Sequence, residues 1–262
     1  MTNIFAIIVI YNKNCKDSVT CRCLSSISGI NVIIADNSTV DCGNADFAAA
    51  AGWTYVDMDG NKGLSKAYNR AIEAISDLNA LICLFDDDTE VGPDYFDCLI
   101  NKANEEPETK IFLPHIYGEA GLMSPNVFNG VAARRVDNVA DIPPGCITGI
   151  NSGMAIRRSV FIGYRYDEGY FLDYIDHAFL RDMKRLGNRI TVFDACLNHH
   201  MFFENPDIDL DALIKRFKVF KKDFKRFCGT SLKSRYAYFK EMFFLKKALY
   251  LKHNKSLRIF FT

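Results

Sequence analysis

The stretch Leu81-Ile82-Cys83-Leu84-Phe85-Asp86-Asp87-Asp88 leaves this chain few choices. Five apolar residues without interruption predict a strand buried on both faces, as in a parallel sheet. Adjacent aspartates cannot enter a core, so the strand must end at Phe85 and present its carboxylates at its carboxyl edge. Crowded there, they repel one another, and a hard divalent cation that prefers oxygen ligands relieves the repulsion. The competing reading is a solvated acidic turn, since Asp is a common turn former.

The same rhythm runs upstream. Ile4 to Tyr11 is a β-branched apolar strand stopping at Asn12, Asn31 to Ala35 a second closed by Asp36-Asn37-Ser38, and Trp53 to Met58 a third. Asn14 or Asp17 is placed to cap a helix through Leu24 and Ile27, and Asp46 to Ala51 reads as a short Ala-rich helix. Asn61 to Asn69 predicts a turn at Gly63, a cap at Ser65 and a helix with Ala67, Ala71, Ile72 and Ile75 on one face. Pro93 opens the next helix. This alternation predicts an α/β chain with a mostly parallel sheet and helices on both faces. Such sheets bind ligands at the carboxyl ends of their strands, where Asn12, Asp36, Asn37 and the aspartate triplet would meet.

Further on, Lys110 to His115 reads as a strand, residues 116–150 as irregular or hairpin structure, and Asn151 to Ile156 as a short helix. Ile175, Phe179, Met183 and Leu186 follow helical spacing, with Asp176 in the first turn, where the helix dipole favours an anion. That position suits a general base as well as an ordinary helix end. Arg189 to Phe193 reads as a strand, followed by Asn198-His199-His200, a histidine pair in a chain with only 5 His.

Asp86-x-Asp88 has rival readings. A phosphatase nucleophile motif would follow the first strand and would not carry Glu90 at its last position, and a prenyl-diphosphate motif belongs on a long helix. The 9 Cys include no C-x-x-C pair, which speaks against a zinc site or a disulfide framework and for a reducing cytoplasm. No signal peptide is visible at Met1-Thr2-Asn3, and no run approaches the roughly 20 apolar residues of a membrane span.

Taken in order, Ile8-Val9-Ile10-Tyr11-Asn12, Ala35-Asp36-Asn37-Ser38, Asn61 to Asn69, Leu84 to Thr89, Asn151-Ser152-Gly153 and Phe171-Leu172-Asp173-Tyr174-Ile175-Asp176 resemble the family 2 inverting glycosyltransferases of GT-A fold, especially the rhamnosyltransferase-like branch of bacterial polysaccharide synthesis. The resemblance covers about residues 4–200. It implies that Tyr11, Asn12, Asp36 and Asn37 line a nucleoside pocket, with Asp36 on the base. It implies that Asn61, Gly63 and Asn69 flank the nucleotide, and that Asp86 and Asp87 belong to the same binding group. Asp88 and His199 would hold Mg²⁺ or Mn²⁺, and Asp176 would be the catalytic base. The pattern departs at Ala178, where the family often has an acid, and at Asp182, where it usually has an Arg, with Arg181 and Arg185 nearby. The implied donor is a UDP- or dTDP-sugar and the acceptor a saccharide or lipid-linked molecule.

Net charge is +0, but it is unevenly spread. From Leu210 onward there are 15 Lys+Arg and 3 Asp+Glu, a surplus of +12, and the remainder carries −12. We divide the chain into a catalytic domain, 1–209, and a basic aromatic helical region, 210–262. Leu213 and Phe217 lie on the apolar side of a first tail helix, and Tyr236 to Leu251 forms a second. Basic faces backed by aromatics suit an anionic membrane surface, here the inner face of the plasma membrane, and packing on the catalytic domain is the alternative. No nucleic-acid recognition motif is present, and the acidic body would repel phosphates. The functional alternative is a non-catalytic, membrane-associated sugar-nucleotide binder or scaffold, which would not need Asp86, Asp88 and Asp176 together.

Overall fold

Strand β1 (Ile4–Ile10) feeds two cores at once, because successive side chains of a strand point to opposite faces. Ile7 joins Ile33, Ile82 and Leu84 on one side, whereas Ile4, Ala6, Ile8 and Ile10 join Ile34, Cys83 and Phe85 on the other. The computed structural model describes residues 2–118, 121–198, 209–252 and 258. Within them β1, β2 (Asn31–Asp36), β3 (Thr54–Asp57) and β4 (Leu81–Phe85) run parallel in the order β3-β2-β1-β4. Beyond β4 come β10 (Ala155–Arg157), antiparallel to both its neighbours, then β5 (Ile111–Gly118) and β11 (Ile190–Asn198), with β6 (Gly121–Ser124) on β5. A separate small sheet comprises β7 (Asn126–Phe128), β8 (Ala133–Arg134) and β9 (Ile147–Thr148).

Helices cover both faces, as expected. The helices α1 (Val19–Ser25) and α4 (Pro93–Glu105) bury Cys21, Leu24, Phe96 and Leu99 in one core. The opposite core takes α3 (Leu64–Glu73), α5 (Ile175–Arg185) and α6 (Leu210–Cys228). Two helices lie further out, α2 (Asn44–Ala51) and α7 (Leu232–Lys252), the latter contributing Met242 and Leu249. Among the described residues no helix is long and apolar enough to cross a membrane.

Several local expectations are corrected. Asn151 to Ile156 is not a helix: a turn leads into β10, because pairing between β4 and β5 outweighs the weak local preference of six residues. Helix α1 is capped by Ser18, which accepts from the Cys21 amide, whereas Asn14 caps only the single turn Cys15–Asp17. Ser65 does not cap α3. Its hydroxyl donates to the Tyr170 carbonyl at 2.5 Å, and Gly63 occupies the cap position. Hairpin structure is present in 116–150 as expected, in the antiparallel pairs β5-β6 and β7-β8, whereas β11 runs past the expected end at Phe193 to Asn198.

Candidate active site

The parallel register brings strand ends to one edge. Ile10 pairs with Asp36, Asp36 with Asp57, and Ile8 with Phe85, so the turns after β1, β2 and β4 open on one crevice. Asn12 takes a left-handed backbone (φ 48°) and joins two of these turns. Its amide donates to Ser38 Oγ, and its side-chain oxygen accepts from the Thr39 amide, both at 2.8 Å. Tyr11 stands beside it, 51% exposed. Asp36 is buried and accepts from Asn44 Nδ2 at 2.9 Å, the Ser38 amide at 2.9 Å and the Tyr55 hydroxyl at 3.1 Å. Burial pushes the Tyr55 phenol pKa up, and the Asp36 charge adds to it. Asn37 spans to the segment before α3, donating to the Gly63 carbonyl and accepting from the Lys62 amide.

Asn61 accepts from the Gly63 amide at 3.2 Å. Gly63 itself (φ 90°) lies against Phe171: a Cβ there would come within 2.8 Å of the ring and 2.9 Å of the carbonyl oxygen. Asn69 faces elsewhere. Its side chain holds the segment 166–168, donating to the Tyr166 carbonyl and Glu168 and accepting from the Tyr166 amide. It contributes to the shape of the site by fixing that segment.

The aspartate turn is anchored through its backbone. Thr20 Oγ1 donates to the Asp86 and Thr89 carbonyls, Ser18 Oγ to the Asp87 carbonyl, and the Asp86 amide to Ser152 Oγ at 3.4 Å. Ser152 Oγ also bonds Thr89 Oγ1, which explains why the turn before β10 carries a hydroxyl. Asp87 is paired with Lys13 at 2.6 Å. Asp86 and Asp88 are partly exposed on the same turn. Two carboxylates suit a hard cation, but among the described residues no group of three or more metal-ligating side chains is present. The expected ligand His199 lies outside the described residues. Its neighbour Asn198 pairs with Glu90, so β11 ends beside the aspartate turn.

The segment that leads to Asp176 packs against Gly63, whose carbonyl Asn37 holds. Asp176 sits in the first turn of α5, largely buried, with its Oδ1 accepting from the His177 amide. The Tyr68 phenol of α3 is fully buried, which raises its pKa first, and the charges of Asp86 and Asp176 raise it further. His177 bonds Thr148 Oγ1 at 2.7 Å and stacks on Phe128, so the small sheet braces α5.

Sequence reasoning missed what holds the 167–173 segment just before Asp176. Asp223 of α6, fully buried, accepts from the amides of Phe171, Leu172 and Asp173, the latter two at 2.8 and 2.9 Å. Three convergent N–H donors are what a buried carboxylate requires. Arg216 grips Asp173 with both terminal nitrogens, against burial, which pushes the Asp173 carboxyl up. Arg226 holds Asp167 at 2.7 and 2.8 Å. From the α3 side the Leu64 amide donates to the Phe171 carbonyl at 2.6 Å. One signal was present in the chain: Arg216 and Asp223, seven residues apart, lie along one edge of the apolar stripe Leu213, Phe217, Phe224.

A sequence model described as Glycosyl transferase family 2 matches residues 5–164. No curated protein matches the chain. Among solved structures, S. aureus TarS has 15% identity and a TM-score of 0.56, covering 88% of this chain and 44% of TarS. TarS 1–349 in complex with UDP has 15% identity and a TM-score of 0.55 over 88% of this chain and 73% of that one. TarS 1–349 with UDP-GlcNAc has 15% identity and a TM-score of 0.52 over 84% of this chain and 65% of that one. The chain thus shares their fold and spans less than half the length of full TarS.

Proposed function

Because the chain belongs to glycosyl transferase family 2, matched over residues 5–164, and folds as a GT-A α/β unit, we propose that it moves a sugar from a UDP- or dTDP-sugar to a saccharide or lipid-linked acceptor, inverting the anomeric centre. The observation that carries this reading is the convergence of the turns after β1, β2 and β4, which bear Asn12, Asp36-Asn37 and the aspartate triplet, at one edge of the parallel sheet. The UDP and UDP-GlcNAc complexes of TarS support a nucleotide-sugar donor. Tyr11, Asn12, Asp36 and Asn37 would take the nucleoside, with Asn61 and Gly63 flanking it and Asp86 nearest the ribose.

Asp176 accepts the proton of an acceptor hydroxyl. The oxygen attacks the anomeric carbon as the bond to the diphosphate oxygen breaks, and a single attack inverts configuration. Asp88 and His199 would hold Mg²⁺ or Mn²⁺, which would supply positive charge against the departing diphosphate. On this reading the chain is a hexosyltransferase acting in cell-surface polysaccharide synthesis, in the rhamnosyltransferase-like branch. We place it in the cytoplasm, peripheral on the inner face of the plasma membrane, on the strength of its +12 tail. The test is a donor screen: nucleoside diphosphate release from UDP-, dTDP- and GDP-sugars with Mg²⁺ or Mn²⁺. Turnover with one donor class is expected. Tight UDP binding with no release from any donor, whatever acceptor is offered, would leave only the non-catalytic binder.

A further inference from the structure

Helix α7 is apolar on two faces. Met242 and Leu249 face the core, whereas Leu232, Tyr236, Phe239 and Phe243, at i, i+4, i+7 and i+11, form a second stripe at the surface. These four are 84%, 72%, 62% and 58% exposed. Exposed Arg235, Lys240 and Lys247 border the stripe. Beside it, between α6 and α7, runs a groove of about 700 Å³ whose lining includes Lys218, Lys221, Lys222 and Lys225 of α6 and Arg235 and Phe239 of α7. Among the described residues no carboxylate lines it. The α6 lysines lie at i, i+3, i+4 and i+7, a spacing at which like charges repel and cost stability unless an anion neutralises them. Phe239 belongs to both features, so groove and stripe are one continuous surface.

We propose that this surface docks on an anionic phospholipid bilayer, the groove seating lipid phosphates while the stripe enters the headgroup–acyl boundary. The proposal rests on the peripheral-membrane reading above and names the surface that carries it. A soluble polyanion would explain the lysines and leave the aromatic stripe unexplained. A bilayer accounts for both, because it offers phosphates and apolar depth side by side. The α6 lysines follow the same helix that holds segment 167–173, so the docked surface and the candidate active site share one rigid element.

Co-sedimentation of the full chain with phosphatidylglycerol/phosphatidylcholine vesicles tests this, against phosphatidylcholine alone, with folding of each variant checked by circular dichroism. The full chain should pellet with anionic vesicles and release in part at high salt. Lys218→Gln, Lys221→Gln and Lys222→Gln combined should weaken binding roughly 100-fold, at about fivefold per charge removed. Phe239→Ser with Phe243→Ser should make the remaining binding fully salt-sensitive, since the stripe supplies the part that salt does not screen. If the full chain pellets and both sets of variants pellet equally well, the membrane reading stands and this surface is wrong. If it stays in the supernatant as a monomer, both fall. If it stays there as a dimer that Phe239→Ser and Phe243→Ser dissociate, the stripe is an interface between copies.

Discussion

Gly63 lies between Asn37, which donates to its carbonyl, and Phe171. Its positive φ, together with the 2.8 Å that would separate a methyl group from the Phe171 ring, excludes a side chain. Gly63→Ala should therefore cost on the order of 1–3 kcal/mol, read as a shift in denaturant midpoint, because it strains the backbone and pushes on backbone and ring together. On the proposed mechanism Asp176 and Asp88 serve separable tasks. Asp176→Asn keeps the shape and removes the proton acceptor, so the transfer rate should fall roughly 10²–10⁴-fold while donor affinity by calorimetry stays within a few-fold. Loss of donor affinity with an unchanged rate at saturation would make Asp176 a binding residue. Asp88→Ala, like chelation of the wild-type chain, should abolish turnover together with metal-dependent UDP binding. Normal turnover under both treatments would remove the metal from the reaction.

Helix α6 acts as the backstop of the segment that leads into Asp176. Three of its side chains grip residues 167–173: Arg226 on Asp167, Asp223 on three successive amides, and Arg216 on Asp173. Asp223→Ala strands buried N–H donors, each costing about 1–3 kcal/mol, so a loss of at least about 3 kcal/mol is expected in urea melts. Asp223→Asn retains one oxygen acceptor and should lose less. On the proposed mechanism the transfer rate should drop more than donor affinity in that variant, because the segment leading to Asp176 loosens while the turns after β1 and β2 stay in place. Equal rates in Asp223→Asn and wild type would show that the grip serves stability alone.

Sheet, α5 and α6 share one core. Leu213, Phe217, Phe224 and Phe227 of α6 are buried with Tyr170, Ile175 and Phe179, and Tyr174 stacks on Phe224 with ring centroids 4.9 Å apart. At about 1.5–3 kcal/mol for each large apolar side chain taken out of water, those four contribute about 6–12 kcal/mol. A domain's whole stability is about 5–15 kcal/mol. A chain cut after residue 209 should then fail to fold, seen as lost near-ultraviolet dichroism or insolubility, whereas one cut after Cys228 keeps those four, loses Met242, Leu249 and the α7 stripe, and should fold with a lower melting midpoint. A cooperative melt from the 1–209 piece near the full chain's would contradict this.

The four parallel strands, their helices and the polar turns at their carboxyl ends were legible in the chain itself. Apolar runs of strand length ending in Asn12, Asp36-Asn37 and Asp86-Asp87-Asp88 are local patterns, and a buried parallel strand needs nothing else to be recognised. The same holds for Asp176 at a helix start. What could not be read is what depends on partners distant in the chain. Three-residue β10 is a strand because β4 and β5 leave a gap between them, not because Ala155-Ile156-Arg157 prefers that state. Ser65 and Asn69 look like a cap and a ligand-facing amide, yet segment 166–170, about a hundred residues on, claims both. Asp223 reads as one acid in a lysine-rich helix until folding brings three amides around it. Short-range periodicity encodes which residues are buried. Hydrogen-bond partners for buried polar groups are assigned only when the layers close, because their cost and their satisfaction both arise in the packed interior.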